Sequence, residues 1–519
     1  MDARRREAGI LLPLFALRSR GDWGVGEIGT LPALCSWLAA AGHRRLQLLP
    51  FFEMAPGERS PYAGLTAFAI DPIYLSLGAV EDFVAAGGEE ALAPAERAEL
   101  AATRVETHLA YDTVRRLKHR ALQIAFARFH TTEWAGRSQR ARALERFRTA
   151  EEAWLAAYVL FRACRQSRDE RPWQSWEPSL RDRDPGALSA AQKALAPTCL
   201  FHAYVQWIAA EQWVAARRAA AALRVALDGD LPFVVGTDSA DVWAGQNEFR
   251  LDAALGAPPD AFNALGQNWG LPPCRWDVMA TRGFTWLRLR LARMAALFDG
   301  CRIDHVVGYY RMYVGPAGGT PTFVPRARRE QRARGEHLLG VMRTAAGNLE
   351  LNAEDLGVVP DFVRTSLRRL GIPGYRVLRW EADGRVFRDP RTYPTRSIAT
   401  TGTHDTSSLA TWWENELDDA GRRALAAVPG FARLHEAGWA FGTDVHATLL
   451  DGLYGAASDL VVLPFPDAYG GRERINVPAT VGPTNWAYRT PWSVEELTAS
   501  SGRELAQRLR ALAARHGRT

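Results

Sequence analysis

The sequence predicts a parallel α/β chain closed into a (β/α)8 barrel, enlarged by a large helical insertion and by loop insertions around its mouth. Two observations carry this. Seven strand-length apolar runs each end in a polar or glycine-containing turn bearing charged or aromatic residues, as expected of strands buried on both faces of a parallel sheet. Amphipathic helical stretches lie between them, and strand-helix alternation with the polar chemistry gathered after the strands favours a barrel over an open sheet.

In order, the first strand candidate is RLQLLPFFEM (45–54). The segment from about 78 to 228 then departs from the alternation. It is rich in Ala, Arg and Glu, with long helical patterns such as TVRRLKHRALQIAFARFH and EEAWLAAYVLFRACRQ, interrupted by RPWQSWEPSLRDRDPGAL. It reads as a helical insertion lying on the barrel. Strand candidates resume with LPFVVGTDSADVW (231–243). A helix over 285–298 sets Leu287, Leu291, Met294 and Leu297 on one face with Arg288, Arg290 and Arg293 largely off it, and leads into LFDGCRIDHVVG (297–308). LELNAEDLGVV (349–359) precedes a helix that opens at Pro360 and stops at Gly371. GYRVLRWE (374–381), RSIATTGTHDTSS (396–408) and LVVLPFPDAYG (460–470) complete the series. No internal repeat or long polar linker divides the 519 residues, so one catalytic barrel domain over 1–519 is expected.

Composition narrows the function classes. With 47% hydrophobic and 24% charged residues the chain can build a full core. A net charge of +6, almost all of the positive charge being arginine interleaved with acids, does not describe a nucleic-acid binder. The five cysteines (Cys35, Cys164, Cys199, Cys274, Cys301) are scattered without a C-x-x-C, which argues against a disulfide framework or a structural zinc and for a reducing cytoplasm. The start, MDARRREAGILLPLFALRSRGDWG, has acidic and arginine residues where a cleavage site would stand and is read as mature protein. No run approaches the roughly 20 apolar residues of a membrane span, so no membrane partner is expected.

The acidic residues locate the chemistry. Asp304 ends the strand in CRIDH, Glu354 ends the strand in LELNAEDLG, and Asp405 follows the strand in ATTGTHD. Each sits at a strand's carboxyl end, where barrel enzymes build their sites. Three charges converging on one barrel mouth are costly unless paired or catalytic. Paired carboxylates suit glycosidic-bond chemistry, one attacking the anomeric carbon and another protonating the leaving oxygen. Arg302 lies two residues before Asp304, on the same side of its strand, and would keep it ionised. Glu354 must begin protonated, with Asp355 or the negative nucleophile raising its pKa. His305 and His404 add donors for sugar hydroxyls. A cap or surface ion pair is the plainer reading of any one of these residues alone; their chain order and the arginine partner favour catalysis. A metal site from Asp304, His305, Glu354, His404 and Asp405 is the weaker reading, since adjacent D-H pairs point to opposite faces of a strand.

At these residues the chain resembles a bacterial 4-alpha-glucanotransferase of the amylomaltase (disproportionating enzyme) family. The resemblance runs almost end to end: GILLPLFALRSRGDWGVGEIG, SPYAGLTAFAIDP, WLAAYVLFRA, GDLPFVVGTDSADVW, GAPPDAFNALGQNWGLP, RIDHVVGYYR, AEDLG, GTHD and RINVPATVGPTNWAYR. It implies a retaining double displacement with Asp304 as nucleophile, Glu354 as general acid/base, and Asp405 gripping hydroxyls of the distorted sugar. It also places Arg302, His305, His404 and Asp238 around that sugar and stacks Tyr62 on it. Gln267 and Trp269 fall in a lid loop of approximately 252–277, and Asn476 in a second rim loop. The implied partners are maltooligosaccharides and soluble alpha-glucans, with no cofactor and no metal, and the expected assembly is a monomer or homodimer. Trp243, Trp269, Trp276 and Trp486 lie in expected loops near the mouth, where aromatic faces can shelve a pyranose, while Trp37, Trp154 and Trp213 are expected in the core.

The chain departs from the family pattern at Cys274, Val307, Ala479, Arg379 and Trp380. None of these touches the three carboxylates. Two rivals share the site. An amylase-type hydrolase is opposed by DSADVW, which lacks a closing Asn-His, and by GQNWG; a non-catalytic glucan-binding protein has no need of all three carboxylates.

Overall fold

A computed structural model of the protein describes residues 6–259, 266–316, 319–478, 480 and 482–519. Ala479 and part of the lid sequence, 260–265, lie outside them. Eight parallel strands close a barrel: β1 (Glu7–Leu11), β2 (Arg45–Gln47), β3 (Ala226–Leu231), β4 (Gly300–Ile303), β5 (Glu350–Ala353), β6 (Gly374–Val377), β7 (Ser397–Thr400) and β8 (Leu460–Pro464). Neighbours around the barrel follow chain order, and β8 pairs with β1. The expected (β/α)8 barrel is therefore the architecture. β1 is the strand absent from the seven apolar runs, and β3 begins at Ala226, upstream of the LPFVV run expected to form it.

Helices cover the barrel where the chain alternates: α1 (Leu31–Ala40), α2 (Ala196–Ala222), α3 (Thr285–Leu297), α4 (Arg328–Ala346), α5 (Asp361–Leu370), α6 (Thr443–Tyr454) and, after β8, α7 (Ser500–Arg515). α5 starts after Pro360 and stops at Gly371, whose φ of 71° is the left-handed conformation that closes a helix cheaply only with glycine. α3 buries Leu287, Leu291, Met294 and Leu297 as its periodicity requires. Arg290 and Arg293, expected off that face, are buried too. Their guanidiniums reach past the apolar stripe to backbone carbonyls, Arg290 to Pro232 and Phe233 and Arg293 to Phe68. Those carbonyls need donors, which makes the burial tolerable.

Between β2 and α2 the chain forms further helices, among them Pro94–Val105, Tyr111–Phe129, Gln139–Ala150, Glu152–Gln166 and Pro185–Ala194. They are bound to the barrel by buried polar contacts. Lys118 Nζ, 2.7 Å from Glu27, also donates to the carbonyls of Ile73 and Leu75. Arg115 makes a two-pronged pair with Asp71 at 2.9 and 3.0 Å. The long helix α2 continues down to the barrel, where Trp213 Nε1 donates to Leu297 O. The loops after β3 and β4 meet in a small antiparallel sheet, its strands Gln267–Asn268, Ala253–Ala257, Met312–Pro316 and Thr322–Val324 in that order.

Two arginines organise the barrel interior. At the amino ends of the strands, Arg45 of β2 reaches Glu7, Asp228 and Glu350 on β1, β3 and β5, at 2.9, 3.0 and 2.5 Å. Gly300 faces this cluster, and a Cβ there would stand 2.3 Å from Asp228 Oδ1, so the ionic layer requires glycine. Two residues higher on the same strands, toward the carboxyl ends, lie Asp230 and Arg302, paired in register. Among the described residues no helix is long and apolar enough to cross a membrane.

Candidate active site

Arg302 is the hub of the barrel mouth. Its Nη1 lies 2.8 Å from both oxygens of Asp230 and 2.9 Å from Asp304 Oδ1, and its Nη2 lies 3.9 Å from Glu354 Oε2. One buried guanidinium thus faces carboxylates from β3, β4 and β5. It is locked because alternation along β4 points Arg302 and Asp304 to the same side. Asp304 Oδ2 has no hydrogen-bond partner among the described residues, Oδ1 being the oxygen that meets Arg302.

Glu354 is held by its neighbours' backbone. His305 N donates to Oε2 at 2.8 Å and Leu356 N to Oε1 at 3.0 Å. Burial nevertheless pushes its carboxyl up to about 7; Arg302 and the two amides oppose the rise and Asp304 adds to it. Asp355 contributes no such push. Its own carboxylate turns away to Tyr375 N and faces Arg376 and Arg364. His305 adopts φ 45°, a left-handed conformation uncommon for a side-chain-bearing residue and typical of strained functional sites. That turn aims its amide at Glu354 and its ring, edge-on, at Trp269, with centroids 4.8 Å apart. Burial lowers the His305 pKa to about 4, so the ring is neutral.

On the opposite side, Asn476 Nδ2 donates to Asp405 Oδ1 at 2.6 Å, and His404 Nε2 lies 3.5 Å from Asp405 Oδ2. Asn476 N also donates to His404 O, which joins the second rim loop to the β7 loop. Tyr62 stacks on His404 with centroids 5.3 Å apart and planes 18° apart, and its hydroxyl donates to Asp230 at 2.8 Å. Trp486 extends this aromatic wall, 5.7 Å from His404 and 5.9 Å from Tyr62. In the loop after β3, Trp269 Nε1 donates to Gln267 Oε1 at 2.9 Å.

The structure thus brings together Asp304, Glu354, Asp405, Arg302, His305, His404, Tyr62 and Asn476, with Trp269 against His305 and Gln267 bonded to Trp269. Asp238 is not among them. Its carboxylate is taken by Arg165 and by Trp173 N, both in the helical insertion, so it joins that insertion to the β3 loop. The carboxylate that meets Arg302 from β3 is Asp230, eight residues earlier, which the sequence reading did not single out. Its signal was the GDLP that follows Asp228 by one residue. Burial pushes its pKa up against the pull of Arg302.

Trp243 and Trp276 are not mouth shelves either. Trp243 is fully buried against Phe161 and Trp176, and Trp276 packs on Tyr309. Trp37, Trp154 and Trp213 are core residues as expected. Cys274 is buried, bridging to Phe249, with its thiol pushed up to about 12 by burial. Arg379 is buried beneath the β7 loop, donating to Thr401 O, Ser407 O and Ser407 Oγ.

A family model described as 4-alpha-glucanotransferase, glycoside hydrolase family 77, matches residues 12–495. The 4-alpha-glucanotransferase of Thermus thermophilus is 34% identical over 511 residues, covering 95% of each chain. That of Chlamydia pneumoniae is 30% identical over 505 residues, covering 94% of this chain and 92% of its own. Among solved structures, the amylomaltase of Streptococcus agalactiae in complex with acarbose superposes with a TM-score of 0.84 at 23% identity, covering 99% of this chain and all of its own. The amylomaltase of Corynebacterium glutamicum does so with a TM-score of 0.79 at 23% identity, over 98% of this chain and 75% of its own.

Proposed function

Because the chain belongs to the 4-alpha-glucanotransferase family, an enzyme family acting on alpha-1,4-glucans, we propose that it moves a segment of such a glucan to the 4-hydroxyl of an acceptor glucan or glucose by a retaining double displacement. The observation that carries the residue assignment is the arrangement on Arg302: Asp304 Oδ1 is bound to its guanidinium at 2.9 Å while Glu354, on the far edge of the same guanidinium, sits in a dry environment that favours its proton.

In the first half-reaction Asp304 Oδ2 attacks the anomeric carbon. The bond from that carbon to the leaving glucan oxygen breaks, and the proton of Glu354 goes to that oxygen. A glucosyl ester of Asp304 remains. In the second half, the now anionic Glu354 takes the proton of an acceptor 4-hydroxyl, whose oxygen attacks the anomeric carbon and releases Asp304. Asp405, fixed by Asn476, grips hydroxyls of the reacting sugar, while Tyr62 and His404 wall the site and Arg302, His305 and Asp230 hold the charges in place. Transfer exceeds hydrolysis when the lid of Gln267 and Trp269 keeps water from the ester and the acceptor is held in line.

Soluble maltooligosaccharides are the substrates this site supports, in a reducing cytoplasm consistent with five free cysteines, and in a monomer or homodimer. The division into one catalytic barrel with a helical insertion near 78–228 and a lid near 252–277 belongs to the same proposal. Incubation with maltotriose tests the reaction: free glucose together with a ladder of longer oligosaccharides is expected. Shortened products alone would establish the hydrolase reading, and no product the binding-protein reading. Asp304→Asn should abolish the reaction with the fold intact by circular dichroism; retained activity would remove Asp304 as nucleophile.

A further inference from the structure

A second cleft, of about 730 Å³, opens between the small antiparallel sheet and the starts of α4 and α5. It is lined by Arg311, Arg326, Arg328, Phe323, Phe362 and Asp361, with Thr322, Gln331 and the Val359–Pro360 backbone. None of the residues placed in the reaction lines it. The volume lies within the roughly 300–1,000 Å³ of small-molecule sites.

Its chemistry is unbalanced toward positive charge. Three guanidiniums and one carboxylate face the space, and among the described residues none of the three arginines has a carboxylate partner. Two are held rather than loose. Arg311 lies over the Phe323 ring at 4.0 Å and Arg328 over the Phe362 ring at 5.2 Å, so the flat face of each guanidinium is engaged by cation–π contact while its N–H edge stays available. Arg311 Nη2 also donates to Val358 O, and its Nε is buried with no partner. An edge-on guanidinium fork matches the geometry of an oxyanion. Both helices begin at this cleft without a capping side chain, at Ala327 and Pro360, so their first amides and positive dipole ends add to the field.

The geometry points to a binding site here for a small phosphate ester, with Arg311 and Arg328 as the positioned forks and Arg326 as the exposed third cation. A neutral glucan leaves the charge of three guanidiniums unbalanced, whereas a phosphate dianion satisfies two or three at once.

Isothermal titration of the full chain with inorganic phosphate, glucose 1-phosphate, ADP-glucose and, as a neutral control, maltose tests this. Saturable binding of the phosphate-bearing probes is expected, weakening steeply with added salt. Glucose 1-phosphate binding no tighter than phosphate would identify a bare oxyanion site, and a marked gain for ADP-glucose a nucleotide site; both uphold the proposal. Arg326→Gln, at an exposed position whose side chain makes no hydrogen bond or ion pair among the described residues, should lower affinity about tenfold with an unchanged Tm, and Arg311→Gln with Arg328→Gln should lower it at least about a hundredfold, given that a charge-assisted hydrogen bond supplies a tenfold factor or more. Absence of saturable binding, or binding undiminished in both the Arg326 and the double variant, overturns the site. So does maltose binding that the double variant abolishes.

Discussion

Replacing Glu354 by Gln separates the charge of this residue from its shape, and its expected consequences follow from one number. The Glu354 carboxyl is pushed up to about 7 in the folded protein against an ordinary 4.5. The folded state therefore binds the proton more tightly than the unfolded state. Its contribution to stability is fully present below pH 4.5 and is lost as the pH rises through 7. At about 1.4 kcal/mol per pKa unit, this amounts to roughly 3 kcal/mol. Asp230 and other buried carboxyls titrate in the same window, so the absolute pH dependence of either protein is a sum over many groups. The difference between the wild-type and Glu354→Gln unfolding free energies isolates this one: measured by urea denaturation, it should shift by about 3 kcal/mol in favour of the variant between pH 4.5 and pH 8. Gln cannot accept hydrogen bonds at both ends, so one of the His305 and Leu356 amides is lost, but that penalty does not vary with pH. Activity on maltotriose should fall about tenfold per pH unit above 7 in the wild type and by 10²–10⁴ in the variant. A maltosyl fluoride donor, whose leaving fluoride needs no proton, should still glycosylate the variant. Parallel stability profiles for the two proteins, or equal losses with both donors, would refute the assignment of a proton held by burial at Glu354.

Three further outcomes follow from the hydrogen-bond geometry. Arg379→Gln removes the clamp that joins Thr401 to Ser407 across the loop carrying His404 and Asp405; kcat/KM on maltotriose should fall about ten- to a hundredfold, with a lower Tm, since several bonds of a buried cation are lost. Asn476→Ala leaves Asp405 Oδ1 without its donor and should reduce kcat/KM about tenfold with little change in Tm, read by steady-state kinetics and differential scanning calorimetry. Arg45→Met strips three carboxylates of their shared partner and should cost about 3–5 kcal/mol of stability in urea titrations. Since Arg45 holds down the pKa of Asp228, which burial has already raised to about 6, that loss should be larger at pH 8 than at pH 5.

The barrel and the convergence of Asp304, Glu354 and Asp405 at its mouth were legible because both rest on a local rule: strands buried on two faces are apolar runs, and the residues at their carboxyl ends face the mouth. The failures have the same root. β3, ALDGDL, carries two aspartates and so reads as a turn rather than a buried strand. Those aspartates are buried only because Arg45 and Arg302 reach them from β2 and β4, a neutralisation that depends on which strands become neighbours and not on local sequence. Local sequence therefore begins the strand at Leu231 and passes over Asp230, while Asp238, which the family resemblance places at the sugar, is held by Arg165 of the insertion. Arg290 and Arg293 misled in the opposite direction, since a helix-periodic pattern cannot show that carbonyls from Phe68, Pro232 and Phe233 stand where the guanidiniums end. Likewise, nothing near Ala253 announces pairing with Met312–Pro316, which folding alone brings alongside. Charge in this protein is thus a tertiary property. The same arginines that look like surface composition in the sequence act as the counter-ions that allow a barrel interior to hold carboxylates at both ends.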